Sequence, residues 1–121
     1  MGKVMVVGCG GVAGVAIHKI CQNSDVFSEL CIASRTVSKC DALKEKLQGK
    51  TKTKITTAQV DADDTAVLTA LIRKEKPDVV LNLALPYQDL LIMEACLAAG
   101  VHYIDTANKE PEDTAKFEYK W

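Results

Sequence analysis

Gly8, Gly10 and Ala13 stand at the spacing G-x-G-x-x-G/A, directly after the apolar run Val4-Met5-Val6-Val7. Each position suits the handling of a dinucleotide pyrophosphate. Gly8 permits a tight turn out of a strand, Gly10 lets a phosphate approach the backbone, and Ala13 lets the next helix pack closely. The phosphates would then meet unpaired amides at the positive end of that helix, with Gly11 adding freedom at a backbone-facing position. A tight strand–helix turn holding no ligand is the plain alternative. It loses weight here because the motif ends the first strand and opens the first helix of a βαβ unit. No Gly-Lys-Ser/Thr follows, so a triphosphate-binding loop is excluded.

A second group of residues selects among dinucleotides. An NAD site usually carries Asp or Glu at the end of the second strand to accept from the ribose 2′-hydroxyl. Here that stretch reads Ala33-Ser34-Arg35-Thr36, with Lys39 one turn further on. A planar guanidinium, two hydroxyls and a second cation suit a 2′-phosphate through charge-assisted hydrogen bonds. The bland alternative is a solvated loop arginine beside a capping threonine. The missing acid favours NADP(H), and it argues equally against an S-adenosylmethionine site. Asp61 could flank an adenine or cap a helix. Asn82, inside an apolar strand, must be satisfied by backbone or face the site. Ala84, Pro86, Asp105 and Thr106 fall at the same rim, while His102 reads as structural. Neither Tyr87 nor Tyr103 has a lysine four residues on, so the Tyr-x-x-x-Lys pair is absent, and no nucleophile–base arrangement can be assembled.

The elements that must position these residues alternate along the chain. Strands are expected at Lys3 to Val7, Leu30 to Ala33, Ile55 to Val60, Asp78 to Leu85 and His102 to Thr106. Between them, helices are expected from Val12 to about Cys21, and from a Thr36 or Ser38 cap to about Leu47, stopped by Gly49. A third, capped by Asp63 with Asp64 at its positive end, carries Val67, Leu68, Leu71 and Ile72 and stops before Pro77. A fourth is opened by Pro86 and ended by Gly100. The stretch from Glu110 to Trp121 resembles the start of another helix. Parallel strands need helical crossovers, so the predicted fold is an α/β Rossmann-type doubly wound sheet. Its three layers would surround a strand order of 3-2-1-4-5, with ligands beyond the carboxyl ends of the strands.

Composition narrows the rest. The chain has 121 residues, enough for one domain with a single sizeable core. A net charge of −1 offers no general attraction to nucleic acid or an anionic membrane, and the longest apolar stretch is broken by glycines and Lys19. Five cysteines without a C-x-x-C pair, and only two histidines, make no metal-ligand cluster. They read as reduced thiols packed as small hydrophobes in a cytoplasmic protein.

These residues together resemble the N-terminal domain of the saccharopine dehydrogenase family, over essentially the whole chain. The anchors are Val6-Val7-Gly8-Cys9-Gly10-Gly11-Val12, Ile32 to Cys40, Asn82 to Tyr87, and Tyr103-Ile104-Asp105-Thr106-Ala107-Asn108 with Glu110 to Ala115. The resemblance implies an oxidoreductase acting on CH–NH bonds with a nicotinamide cofactor. Its polyamine-forming branch reduces the imine of a diamine and aspartate semialdehyde with NADPH. It further implies that Gly8, Gly10, Gly11 and Val12 contact the pyrophosphate, and that Ser34, Arg35, Thr36 and Lys39 hold the 2′-phosphate. Asp61 would lie near the adenine, and Ala84 and Pro86 near the nicotinamide ribose. Many relatives have Gly where Ala13 stands. Family members are also several times longer, so this chain is expected to be an excised domain or a short product lacking the substrate domain, inactive alone. The expected partner is a small amino-acid or diamine substrate, with a homodimer left open. A nucleotide-sensing regulatory module of the same fold is the alternative, although such modules usually keep the acid that Ser34-Arg35 replaces.

Overall fold

The structure, a computed structural model, describes residues 2–8, 11–61, 64–83 and 89–105. Strands β1 (Gly2–Val7), β2 (Phe27–Ser34), β3 (Lys54–Gln59), β4 (Val79–Asn82) and β5 (His102–Asp105) alternate with helices. The helices are α1 (Gly11–Gln22), α2 (Val37–Gln48), α3 (Thr65–Glu75) and α4 (Asp89–Ala99). All the strand pairs are parallel and the order is β3-β2-β1-β4-β5, as the alternation of elements predicts.

Successive side chains of a strand face opposite sides, so each buried strand feeds two cores. Val4 and Val6, with Leu30, Ile32 and Ile55, pack on one face against Ala13 and Ile17 of α1 and Cys40 and Leu47 of α2. Met5 and Val7, with Cys31, Ala33 and Val80, pack on the other against Leu68 and Ile72 of α3 and Ile92 and Ala95 of α4. Three layers result. No described helix is long and apolar enough to cross a membrane.

Several boundaries differ from the sequence expectation, each for a local reason. The second strand starts at Phe27 rather than Leu30. Its less apolar end is held by pairing to Gly2 and Lys3, and the Thr53 hydroxyl donates to the Phe27 carbonyl at 2.7 Å. Of the strand expected from Asp78 to Leu85, the described residues form strand over Val79–Asn82. Asp78 instead anchors its entry, its N–H donating to the Lys3 carbonyl and its carboxylate accepting from the Lys3 N–H, both at 2.8 Å.

Helix α3 is capped by Asp64, not Asp63. An N-cap side chain reaches the amide three residues on, and Asp64 Oδ1 accepts from Val67 N–H at 3.2 Å. At its other end Lys76 takes a left-handed conformation (φ 52°), since Pro77 disfavours further right-handed turns. Thr36 occupies the N-cap position of α2 but its side chain makes no capping bond. Ser34 Oγ accepts from the Thr36 N–H instead, at 3.2 Å. The expected strand residues Ala84, Leu85 and Thr106, the expected cap Asp63, the helix opener Pro86 and the Glu110 to Trp121 stretch lie outside the described residues.

Candidate functional site

Parallel pairing brings every strand's carboxyl end to one edge of the sheet, and the order reverses around β1. Val7 is paired with Ala33 of β2 on one side and Asn82 of β4 on the other. Gly8 follows directly. Its φ is +116°, a region that L side chains rarely adopt, and its N–H donates to the Ala33 carbonyl at 2.8 Å. The first glycine of the motif therefore takes a backbone conformation suited to leaving the strand, as its position suggested. Gly11 begins α1, and Ala13 is only 1% exposed, packed into the core beneath that helix. A larger residue there would push α1 from the sheet. A positive φ at Gly8 and a helix packed closely through Ala13 are the two features that a pyrophosphate-binding loop requires. Cys9 and Gly10 lie outside the described residues, as do Ala84 and Pro86.

Beside this turn lies the loop that follows β2. Ser34 closes the strand, and Arg35, Thr36 and Lys39 are all exposed. Thr36 stands at the N-cap of α2 and Lys39 lies in its first turn, which contains no acid. The α2 N-terminus, Arg35 and Lys39 are the positive groups of this corner of a nearly neutral protein. The end of β3 braces it. Ser34 pairs with Gln59, the Val60 N–H donates to the Ser34 carbonyl at 3.0 Å, and Gln59 Nε2 donates to the Arg35 carbonyl at 3.2 Å. Asp61 then places Oδ1 at 3.4 Å from Arg35 Nη2. The sequence leaves Asp61 either flanking an adenine or capping a helix, with no sign of this pair. Its backbone carbonyl does accept from the Asp64 N–H, at 3.0 Å, in the approach to α3.

On the other side of β1 the rim is built from β4 and β5. Asn82, 2% exposed, donates from Nδ2 to the Tyr103 hydroxyl at 3.0 Å, and that hydroxyl donates to Asp105 Oδ2 at 2.6 Å. So a side chain, rather than backbone alone, satisfies Asn82. Tyr103, lacking a lysine partner, has no role in the sequence reading. The signal that could have found it is the two-residue spacing to Asp105, which puts both on one face of β5.

Cys21, Cys31, Cys40 and Cys96 are buried thiols outside any disulfide. Burial pushes the Cys96 thiol up to about 11 and raises Cys21 and Cys31 as well, so these three are poor nucleophiles. Among the described residues no group of His, Cys, Asp and Glu could hold a metal ion.

Known proteins resemble this chain in sequence and in fold. Carboxyaminopropylagmatine dehydrogenase of Synechocystis sp. is 50% identical over 121 residues, covering all of this chain and 29% of that protein. Carboxynorspermidine synthase of Vibrio cholerae is 41% identical over 110 residues, covering 87% of this chain and 27% of that protein. The chain thus spans less than a third of the length of these relatives. Among solved structures, apo saccharopine dehydrogenase (L-Glu forming) from Saccharomyces cerevisiae superposes with a TM-score of 0.74 at 20% identity. That match covers 92% of this chain and 23% of the yeast protein. Scyllo-inositol dehydrogenase from Lactobacillus casei, solved with NAD(H), gives 0.69 at 17% identity over 87% of this chain and 27% of that one. These two likenesses show the fold. The Synechocystis relative is named as a dehydrogenase, and the domain type supports a nicotinamide cofactor. The model of the saccharopine dehydrogenase NADP binding domain matches residues 4–121, and the chain belongs to that family.

Proposed function

We propose that the chain is the NADP(H)-binding part of an oxidoreductase acting on CH–NH bonds, which joins an amine to an aldehyde or keto acid by reducing their imine. The reaction it serves is of the carboxynorspermidine type, from a diamine and aspartate semialdehyde. The name of the Vibrio relative supports that choice, and the Synechocystis relative is named for a related carboxylated amine, carboxyaminopropylagmatine. A nucleotide-sensing module is the weaker reading, because these relatives carry the names of enzymes.

In this reading Gly8, Gly10, Gly11 and Val12 hold the pyrophosphate, and Ala13 keeps α1 close enough for its amides to reach. Ser34, Arg35, Thr36 and Lys39 bind the 2′-phosphate, and Asp61 lies on the adenine side. Ala84 and Pro86 border the nicotinamide ribose. When bound, NADPH supplies the hydride that reduces the imine. The chain's own residues bind and orient the cofactor.

The observation that carries the NADP(H) reading is Arg35, exposed at the end of β2 with its backbone braced by β3. Calorimetric titration with NADPH, NADP and NADH tests it. Tighter binding of the 2′-phosphorylated forms is expected, and equal or better binding of NADH would overturn it.

A further inference from the structure

The acid that an NAD site keeps at the end of its second strand is missing from Ala33 to Lys39, yet the fold returns a carboxylate to that corner. It comes from Asp61, 26 positions after Arg35, with Oδ1 at 3.4 Å from Arg35 Nη2. We infer that Asp61 is a specificity-determining residue that holds down the preference for the 2′-phosphorylated cofactor and keeps the unphosphorylated one acceptable. The inference rests on Arg35 as the anchor of the 2′-phosphate.

The surroundings make this a placed contact. Gln59 and Val60, which immediately precede Asp61, hydrogen-bond to the carbonyls of Arg35 and Ser34, at 3.2 and 3.0 Å. Loop and carboxylate are therefore carried by one braced strand end, which keeps the backbones of Arg35 and Asp61 side by side. The side chains themselves are 66% and 53% exposed, so the pair adds little to stability and its partners exchange readily.

Charge decides what the carboxylate does to each ligand. A 2′-phosphate brings close to two negative charges to Arg35, where it must share the guanidinium with Asp61 and meet that residue's own charge. The guanidinium has several donors, so sharing weakens the phosphate contact without abolishing it. A ribose 2′-hydroxyl brings no charge and can donate to a carboxylate, the role an acid plays in NAD sites. Asp61 thus acts against one cofactor and for the other.

Titrating wild-type protein, Asp61→Asn and Asp61→Ser with NADPH and NADH tests this. Both variants should bind NADPH about three- to tenfold tighter, the effect of removing one charge several ångströms from a dianion in a solvated site. Both should bind NADH no tighter than wild type. The exposed position of Asp61 leaves the fold undisturbed, which circular dichroism melts of both variants check. If wild type prefers NADPH but the variants bind it equally or more weakly, Asp61 only positions Arg35 and the inference is overturned. If wild type shows no preference and Arg35→Ala changes nothing, the 2′-phosphate reading itself fails.

Discussion

The Tyr103 hydroxyl donates to Asp105 at 2.6 Å while accepting from Asn82 at 3.0 Å, so one oxygen ties β5 to β4 at the ligand-facing rim. Asn82 is directly paired with Asp105 in the sheet register, and Tyr103 lies two residues before it. Because the Asn82 Nδ2 group can only donate, the hydroxyl proton is directed to the carboxylate. Tyr103→Phe removes this oxygen and takes an acceptor away from a buried amide. A loss of about 1–3 kcal/mol in unfolding free energy is expected by urea denaturation. A change within about 0.5 kcal/mol, as for an ordinary surface substitution, would show that the tie is unimportant to the fold.

Arg35 separates cofactor selection from cofactor binding. Arg35→Ala should weaken NADPH binding roughly ten- to hundredfold, the loss of hydrogen bonds between charged groups, and leave NADH nearly unchanged. Isothermal titration with both cofactors reads the two effects. An equal loss with both would mean that Arg35 only shapes its loop.

Gly8 carries a backbone cost that no other residue type can meet cheaply. At φ +116° a Cβ is strained whatever space surrounds it. Gly8→Ala should destabilise the protein by about 1–3 kcal/mol. It should also impair NADPH binding, since relief of the strain would move the turn that leads into α1. Thermal melts and titration together check this. A variant with wild-type stability would show that the turn accepts a side chain.

The buried Cys96 thiol gives stability an alkaline dependence. Its pKa rises from an ordinary 9.0 to about 11 in the fold, because burial disfavours the thiolate. The unfolded chain therefore releases this proton first. The thiol's contribution is complete below pH 9 and declines as pH rises toward 11. Unfolding followed across that window should show stability falling, and Cys96→Ala should fall less steeply. Parallel curves for the two proteins would remove Cys96 as a cause.

Much of this architecture is legible from local patterns. Short apolar runs such as Val4 to Val7 and Leu30 to Ala33, separated by helical stripes and glycine stops, specify parallel strands with crossovers. Chirality and sheet twist then leave few ways to arrange them. Legibility falls where a boundary depends on a partner. Phe27 to Glu29 are not conspicuously apolar, and they become strand because Gly2, Lys3 and Lys54 lie alongside. The cap of α3 is blurred by neighbouring aspartates, since Asp63 and Asp64 have the same chemistry and only the helix phase distinguishes them.

By itself the sequence determined the glycine turn, the buried Ala13 and the basic segment from Ser34 to Lys39, because their chemistry is local to one βα unit. Tertiary structure alone decided which groups meet across strands. Ser34 pairs with Gln59, and so the residues just past each strand, Arg35 and Asp61, come together. Likewise Asn82 pairs with Asp105, which brings Tyr103 between two polar groups. Register is a property of two strands at once, and neither strand's own sequence contains it.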